Sequence, residues 1–214
     1  IASSLVGSEM CIRDSRKWIA DLNKQNHRLS NLAIIAMTHR LIKPGRLALV
    51  SSFGAEAVVL LHLVAQVDAD LPVLFIDTDL LFTETLRYQQ QVSALLGLTN
   101  VQIIRAKADQ HTRIDPLGQL HQSDPDACCY LRKTAPLNHA LQRFDGWISG
   151  RKRFQGSSRA TVAWFEMDPD RDKIKINPLA QRSRNDVDQY RTKNKLPRHP
   201  LVNMGYPSIG CLPY

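Results

Sequence analysis

Three cysteines carry the sharpest chemical signal in this chain. Cys128 and Cys129 are adjacent and sit just before the basic pair Arg132-Lys133, and Cys211 lies in the closing stretch 205–214. Clustered thiolates favour soft metals such as zinc, or iron–sulfur centres. Adjacent side chains converge poorly on one tetrahedral ion, but they can serve two irons of a cluster. Two inert buried cysteines are the ordinary alternative, and a strained vicinal disulfide is another. The neighbouring cations weigh against both, because positive charge stabilises thiolates and a net-negative cluster.

Three further segments suit anions or nucleotides. Ser51-Ser52-Phe53-Gly54-Ala55-Glu56 joins an expected strand to an expected helix. Its glycine and small side chains let backbone N–H groups approach an anion at the helix N-terminus. It lacks the Gly-Lys-Ser/Thr of a Walker A loop and is not Gly-x-Gly-x-x-Gly. Taken alone it reads more simply as a turn with Ser52 as N-cap. Asp77-Thr78 could hydrogen-bond a nucleobase or ribose, or cap a helix. Gly150-Arg151-Lys152-Arg153-Phe154-Gln155-Gly156-Ser157-Ser158-Arg159 places four cations and several hydroxyls after a strand. Arginine forks suit phosphate or sulfate oxygens, which favours anion binding over a solvated basic loop. His62 reads as a core residue, and His121, His139 and His199 lack metal-ligand spacing.

The periodicity of the sequence supplies the elements that position these segments. Apolar spacing predicts helices over 16–43, 57–67, 83–96, 129–143 and 186–195. Short apolar runs predict strands over 47–50, 71–76, 101–105 and 147–150, with 174–178 as a fifth, edge strand. Residues 106–127 read as a long polar loop, a type that is usually functional or mobile. The alternation implies an α/β fold, a mostly parallel sheet with helices on both faces. Ligands then sit beyond the carboxyl ends of the strands, where 51–56, 77–78 and 150–153 all fall.

The totals are consistent with one such domain. The chain has 214 residues, 43% of them hydrophobic, and 28 Lys plus Arg against 20 Asp plus Glu give a net charge of +8. That excess suits an anionic ligand. No apolar run approaches a membrane span, and no secretory signal is evident. Four cysteines in a chain this long suit a reducing cytoplasm. Residues 1–15 have no steady period and resemble translated adapter sequence, so they are expected to be a non-native leader, with Cys11 no ligand. The sequence stops within a motif at Tyr214 and reads as a fragment.

Five motifs in order carry a resemblance: 51–57, 75–78, 126–133, 150–155 and 205–211. Over residues 16–214 the chain resembles the assimilatory adenylyl-sulfate/phosphoadenylyl-sulfate reductase family, and its double cysteine resembles the iron–sulfur branch, which mainly uses adenylyl sulfate. The resemblance implies a fold like that of the adenine-nucleotide α-hydrolases (the pyrophosphate-loop superfamily). It implies that Ser51, Ser52, Phe53, Gly54 and Glu56 surround the phosphosulfate, that Asp77 and Thr78 lie near the adenosine, and that Gly150, Arg151, Lys152 and Arg153 bind the phosphosulfate. Cys128, Cys129 and Cys211 would ligate a 4Fe–4S cluster, with Lys133 linking cluster and substrate electrostatically. Adenylyl sulfate would be reduced to sulfite and AMP in sulfate assimilation, with phosphoadenylyl sulfate a further candidate substrate. Thioredoxin or glutaredoxin would be the partner of a cytoplasmic enzyme, a candidate homo-oligomer with no nucleic acid and no membrane.

Two departures from the family pattern stand out. The fourth cluster ligand should be a cysteine where Tyr214 stands, and a phenol is a poor substitute for a thiolate; Tyr214 is expected to be a scar of truncation. The nucleophilic cysteine of a Glu-Cys-Gly-Leu tail is absent, so these 214 residues are expected to bind nucleotide without turning it over. The alternative from the same superfamily is an ATP-using enzyme of the pyrophosphatase or sulfurylase type, although Ala55-Glu56 departs from its usual loop. A basic nucleic-acid-binding module would leave the double cysteine without a role.

Overall fold

The computed structural model describes residues 12–26, 28–156, 159–206 and 208–213. Six strands form one sheet in the order β3-β2-β1-β4-β6-β5. They are β1 (Leu47–Ser51), β2 (Val73–Ile76), β3 (Val101–Ile104), β4 (Gly146–Ser149), β5 (Phe165–Asp168) and β6 (Lys173–Ile176). All neighbours run parallel except β5, which is antiparallel to β6. The expected fold class is therefore the observed one. β1 and β2 are short apolar runs because both of their faces are covered.

The helices are α1 (Ile12–Gln25), α2 (Asn31–Leu41), α3 (Ala57–Ala65), α4 (Thr83–Leu96), α5 (Ala108–Ile114), α6 (Leu120–Ser123), α7 (Pro125–Cys129), α8 (Ala135–Leu141), α9 (Arg184–Lys193) and α10 (Pro200–Asn203). On one face of the sheet α3 buries Val58, Val59, Leu60, Leu61, Leu63 and Val64 in the larger core. On the other face, Leu141 and Phe144 pack on Ala48, Leu74 and Trp147. No helix among the described residues is long and apolar enough to cross a membrane.

Three local expectations need correction. The helix expected over 16–43 is two helices. Ser30 accepts a hydrogen bond from the Ala33 amide at 3.2 Å, and this cap starts a new helix inside the apolar pattern. The first helix also begins at Ile12, ahead of the expected start at Arg16. The strand expected at the edge over 174–178 is β6, an interior strand, and β5 takes the edge. β5 escapes the sequence pattern because it has four residues, two of them acidic; Glu166 and Asp168 stand opposite Lys175 and Lys173, pairs that favour the register. The expected loop over 106–127 contains α5, α6 and the start of α7.

Gly146 opens β4 where nothing larger fits. A Cβ there would meet Ile42 Cδ1 at 2.5 Å and the Ile174 carbonyl oxygen at 3.2 Å. Gly146→Ala is expected to cost about 1–3 kcal/mol through overpacking, read as a lower urea midpoint at unchanged slope.

Candidate active site

The sheet changes direction of growth at β1, with β2 on one side and β4 on the other. Such a switch point leaves a crevice outside the carboxyl ends of the two diverging strands. A cavity of about 630 Å³ lies there, with Ser51, Ser52, Gly54 and Glu56 on one wall and Gly150, Arg151 and Lys152 on another. Both segments therefore reach the place expected of them.

The β1–α3 loop is held by Phe53. This residue has φ of 50°, a left-handed conformation uncommon outside glycine, and it is fully buried. Its ring packs edge-on against Phe75 at 5.2 Å, and its amide donates to Ser51 Oγ at 3.1 Å. Phe53 is thus an anchor under the loop and not a wall of the cavity. Ser52 is not the cap of α3. Glu56 occupies that position and makes no side-chain cap bond, and the Ala57 amide that opens the helix donates to the Gly54 carbonyl at 3.1 Å. A Cβ on Gly54 would stand 3.3 Å from the Ile209 carbonyl oxygen, so the closing stretch packs directly on the loop.

The basic segment divides in two. Lys152 is only 3% exposed, and its ammonium lies 2.8 Å from Glu56 Oε2 and 3.0 Å from the Gly150 carbonyl oxygen. Burial pushes its pKa down, and Glu56 opposes that shift. Gln155 also donates to Glu56 at 3.2 Å, and Arg184 stands 3.9 Å from the same carboxylate. Arg153 turns away: its Nε donates to the Val162 carbonyl at 2.8 Å, and its backbone amide bonds Ala180. It does not line the cavity, whereas Arg151, Arg159 and Arg184 do. Sequence reasoning noticed Arg159 only as a member of the basic stretch. Sequence spacing could not show that a 3-10 turn, Arg153–Gln155, interrupts the basic segment.

Asp77 and Thr78 follow β2 but face the sulfur side. Asp77 is buried and clamped by Arg105 at 2.6 Å. Thr78 Oγ1 lies 3.2 Å from Cys211 Sγ. The closing stretch is tied in by a bridge between Leu81 and Cys211 and by a 2.7 Å bond from the Leu212 amide to the Leu80 carbonyl. Ile76 lines the cavity just before Asp77, as do Ser208 and Ile209 just before Cys211. Thr78 and Cys211 therefore adjoin the cavity through two chain segments.

The cysteine pair ends α7 and enters a π-helical turn, Tyr130–Thr134, a feature frequent at functional sites. The wider turn brings Lys133 Nζ to 3.7 Å from Cys129 Sγ. Burial works against the charge of Lys133, but the thiols of Cys211 and Cys129 outweigh it and hold the pKa above the ordinary lysine value. Burial pushes the Cys128 thiol up, Arg132 opposes this, and Cys129, Asp115 and Cys211 reinforce it. All three cysteines are free thiols within electrostatic reach of one another. Among the described residues, no group of three or more His, Cys, Asp or Glu side chains is arranged to hold a metal ion. A single ion needs all its donors around one point, whereas thiolates of a 4Fe–4S cluster bind separate irons and stand further apart. Three free cysteines form a thiolate donor set, the chemistry that soft metals and iron–sulfur centres take. Tyr214, at the expected fourth position, lies outside the described residues.

A mostly parallel sheet with a tight loop between β1 and α3 and a cavity over β1 and β4 defines an adenine-nucleotide α-hydrolase-like fold. FMN adenylyltransferase from Candida glabrata shares it, with a TM-score of 0.61 at 14% identity over 95% of this chain and 74% of that one. The chain belongs to the phosphoadenosine phosphosulfate reductase domain family, whose profile matches residues 46–214. The adenosine 5′-phosphosulfate reductase of Mesorhizobium japonicum is 46% identical over 185 residues, covering 86% of this chain and 72% of that protein. The phosphoadenosine 5′-phosphosulfate reductase of Alkalilimnicola ehrlichii is 38% identical over 172 residues, covering 78% and 69%. The phosphoadenylyl-sulfate reductase of Candida auris, solved as a phosphate complex, aligns with a TM-score of 0.81 at 25% identity, over 96% of this chain and 98% of that one.

Proposed function

We propose that this protein is a thioredoxin-dependent reductase that converts adenylyl sulfate to sulfite and AMP in the reducing cytoplasm. The observation that carries this reading is the gathering of Cys128, Cys129 and Cys211 with Lys133, beside the cavity over β1 and β4. The family membership and the 46% identity to an adenosine 5′-phosphosulfate reductase support the same substrate.

Cys128, Cys129 and Cys211 would hold a 4Fe–4S cluster, with position 214 as the fourth ligand site. Bound there, the cluster would supply a fixed, polarisable charge to which Lys133, 3.7 Å from Cys129 Sγ, responds. The chain's own residues do the binding and the charge neutralisation. The N-terminal end of α3, with Arg151, Arg159 and Arg184, receives the phosphosulfate. Lys152 turns its charge from Glu56 toward the same group. Neutralising that anion is what lets an anionic nucleophile approach it.

The nucleophile is a cysteine thiolate of a Glu-Cys-Gly-Leu segment lying outside these 214 residues. It attacks the sulfuryl sulfur, forming an S–S bond, while the S–O bond to the nucleotide breaks and AMP leaves with the electron pair. A thiolate of reduced thioredoxin then attacks the enzyme sulfur and expels sulfite, and its second thiol resolves the mixed disulfide. Two electrons thus pass from the dithiol to the sulfonate sulfur. The test is sulfite release from adenylyl sulfate with reduced thioredoxin. The chain carrying Tyr214→Cys and joined to a Glu-Cys-Gly-Leu segment is expected to turn over, and the 214 residues alone to bind nucleotide without releasing sulfite. Failure of the joined chain to release sulfite would overturn the reading.

A further inference from the structure

Arg132 is an unusual residue in this structure. It is 3% exposed, and its Nε is the one buried side-chain nitrogen or oxygen without a hydrogen-bond partner among the described residues. A charged donor left unfilled in the interior is costly and points to an acceptor that occupies the place in the working protein. The rest of the guanidinium is fully committed. One terminal nitrogen donates to the Thr78 carbonyl at 2.8 Å, and the other reaches Asp115 Oδ2 at 2.7 Å and His111 Nε2. Thr78 in turn touches Cys211, and Arg132 acts electrostatically on Cys128.

The segment that supplies the clamp is the one expected to be a loop. Asp115 is itself 3% exposed and follows α5, and it accepts the Leu120 amide at 3.0 Å, which closes the turn into α6. His111 is on α5. Neither residue lies in any of the five motifs, and neither lines the cavity.

We propose that Asp115 and His111 are positioning residues. They lock the guanidinium of Arg132 so that its unfilled Nε–H is presented to the sulfur atoms held at Cys128, Cys129 and Cys211. The inference rests on the cluster reading above. An N–H donated to a sulfur of an iron–sulfur cluster stabilises its reduced, more negative form, so loss of that bond lowers the reduction potential. Substitutions at such outer positions cost about ten- to a hundredfold in metal affinity or activity.

The test uses the protein carrying Tyr214→Cys and joined to a Glu-Cys-Gly-Leu segment, reconstituted anaerobically with iron and sulfide, and compares Asp115→Asn, Asp115→Glu and His111→Asn with that parent. His111→Asn keeps the Asp115–Arg132 ion pair, so it guards against a variant that fails to fold. The expected result is a more negative cluster potential in Asp115→Asn and His111→Asn, with kcat lowered about tenfold, unchanged KM for adenylyl sulfate, and partial rescue in Asp115→Glu. A parent that holds iron and sulfide beside folded variants of unchanged potential would overturn this inference alone. A parent that holds neither iron nor sulfide would overturn the cluster reading, and the inference with it.

Discussion

Lys133→Ala is expected to lower kcat/KM for adenylyl sulfate by about a hundred- to a thousandfold, the usual cost of removing one preorganised charge aimed at a reacting anion. The π-helical turn places this ammonium 3.7 Å from Cys129, and both Cys129 and Cys211 hold it charged despite its burial. Alanine removes the positive charge beside the thiols of Cys129 and Cys211, while the backbone turn, held by main-chain bonds, stays in place. Lys133→Arg should recover part of the loss, because it restores charge without the same reach. Steady-state sulfite release reads both effects in the chain carrying Tyr214→Cys and joined to a Glu-Cys-Gly-Leu segment. Alanine activity equal to the parent's would show that the charge at 133 is incidental to the reaction.

Glu56→Gln is expected to act first on stability and in a pH-dependent way. The change leaves Lys152, 3% exposed, without its 2.8 Å carboxylate partner. Stranding a buried charge costs about 3 kcal/mol. Burial already lowers the pKa of Lys152, and loss of Glu56 removes the opposing influence. Across the window between the depressed folded value and the ordinary lysine value, the unfolded chain keeps a proton that the folded chain has lost. Stability of the variant therefore rises with pH through that window, since the unfolded state binds more protons there. The penalty is largest at neutral pH and fades toward alkaline pH as Lys152 becomes neutral. Urea unfolding of both proteins across that range measures it. A stability difference that stays constant with pH would mean that Lys152 is not the group responsible.

Much of this architecture is legible in the sequence where one physical signal dominates. Leu47-Ala48-Leu49-Val50 reads as a buried parallel strand because both of its faces are covered, and Ala57–Ala65 reads as a buried helix for the same reason. The double cysteine with Arg132-Lys133 stands out by residue type alone. The rest depends on geometry that spacing does not encode. A π-helical turn, not a regular helix, aims Lys133, and nothing in Tyr130-Leu131-Arg132-Lys133-Thr134 marks where a helix widens. Arg153 belongs to the basic motif, yet the 3-10 turn sends it to the Val162 carbonyl and leaves Arg159 and Arg184 on the cavity wall. Thr78 and Asp77 sit at a strand end as expected, but Thr78 meets Cys211 because the closing stretch returns to pair with Leu80 and Leu81. The partners of Arg132 come from a polar segment whose short helices are too brief to show a period.

The central claim is that thiols from two distant segments meet beside Lys133 and serve one iron–sulfur centre. The iron and acid-labile sulfide content of anaerobically purified protein carrying Tyr214→Cys tests it directly, compared with the same protein carrying Cys129→Ser or Cys211→Ser in addition. The expected result is iron and sulfide in equal amounts in the first protein and their loss from the other two. Absence of both from the first protein, or the same content in all three, would contradict it.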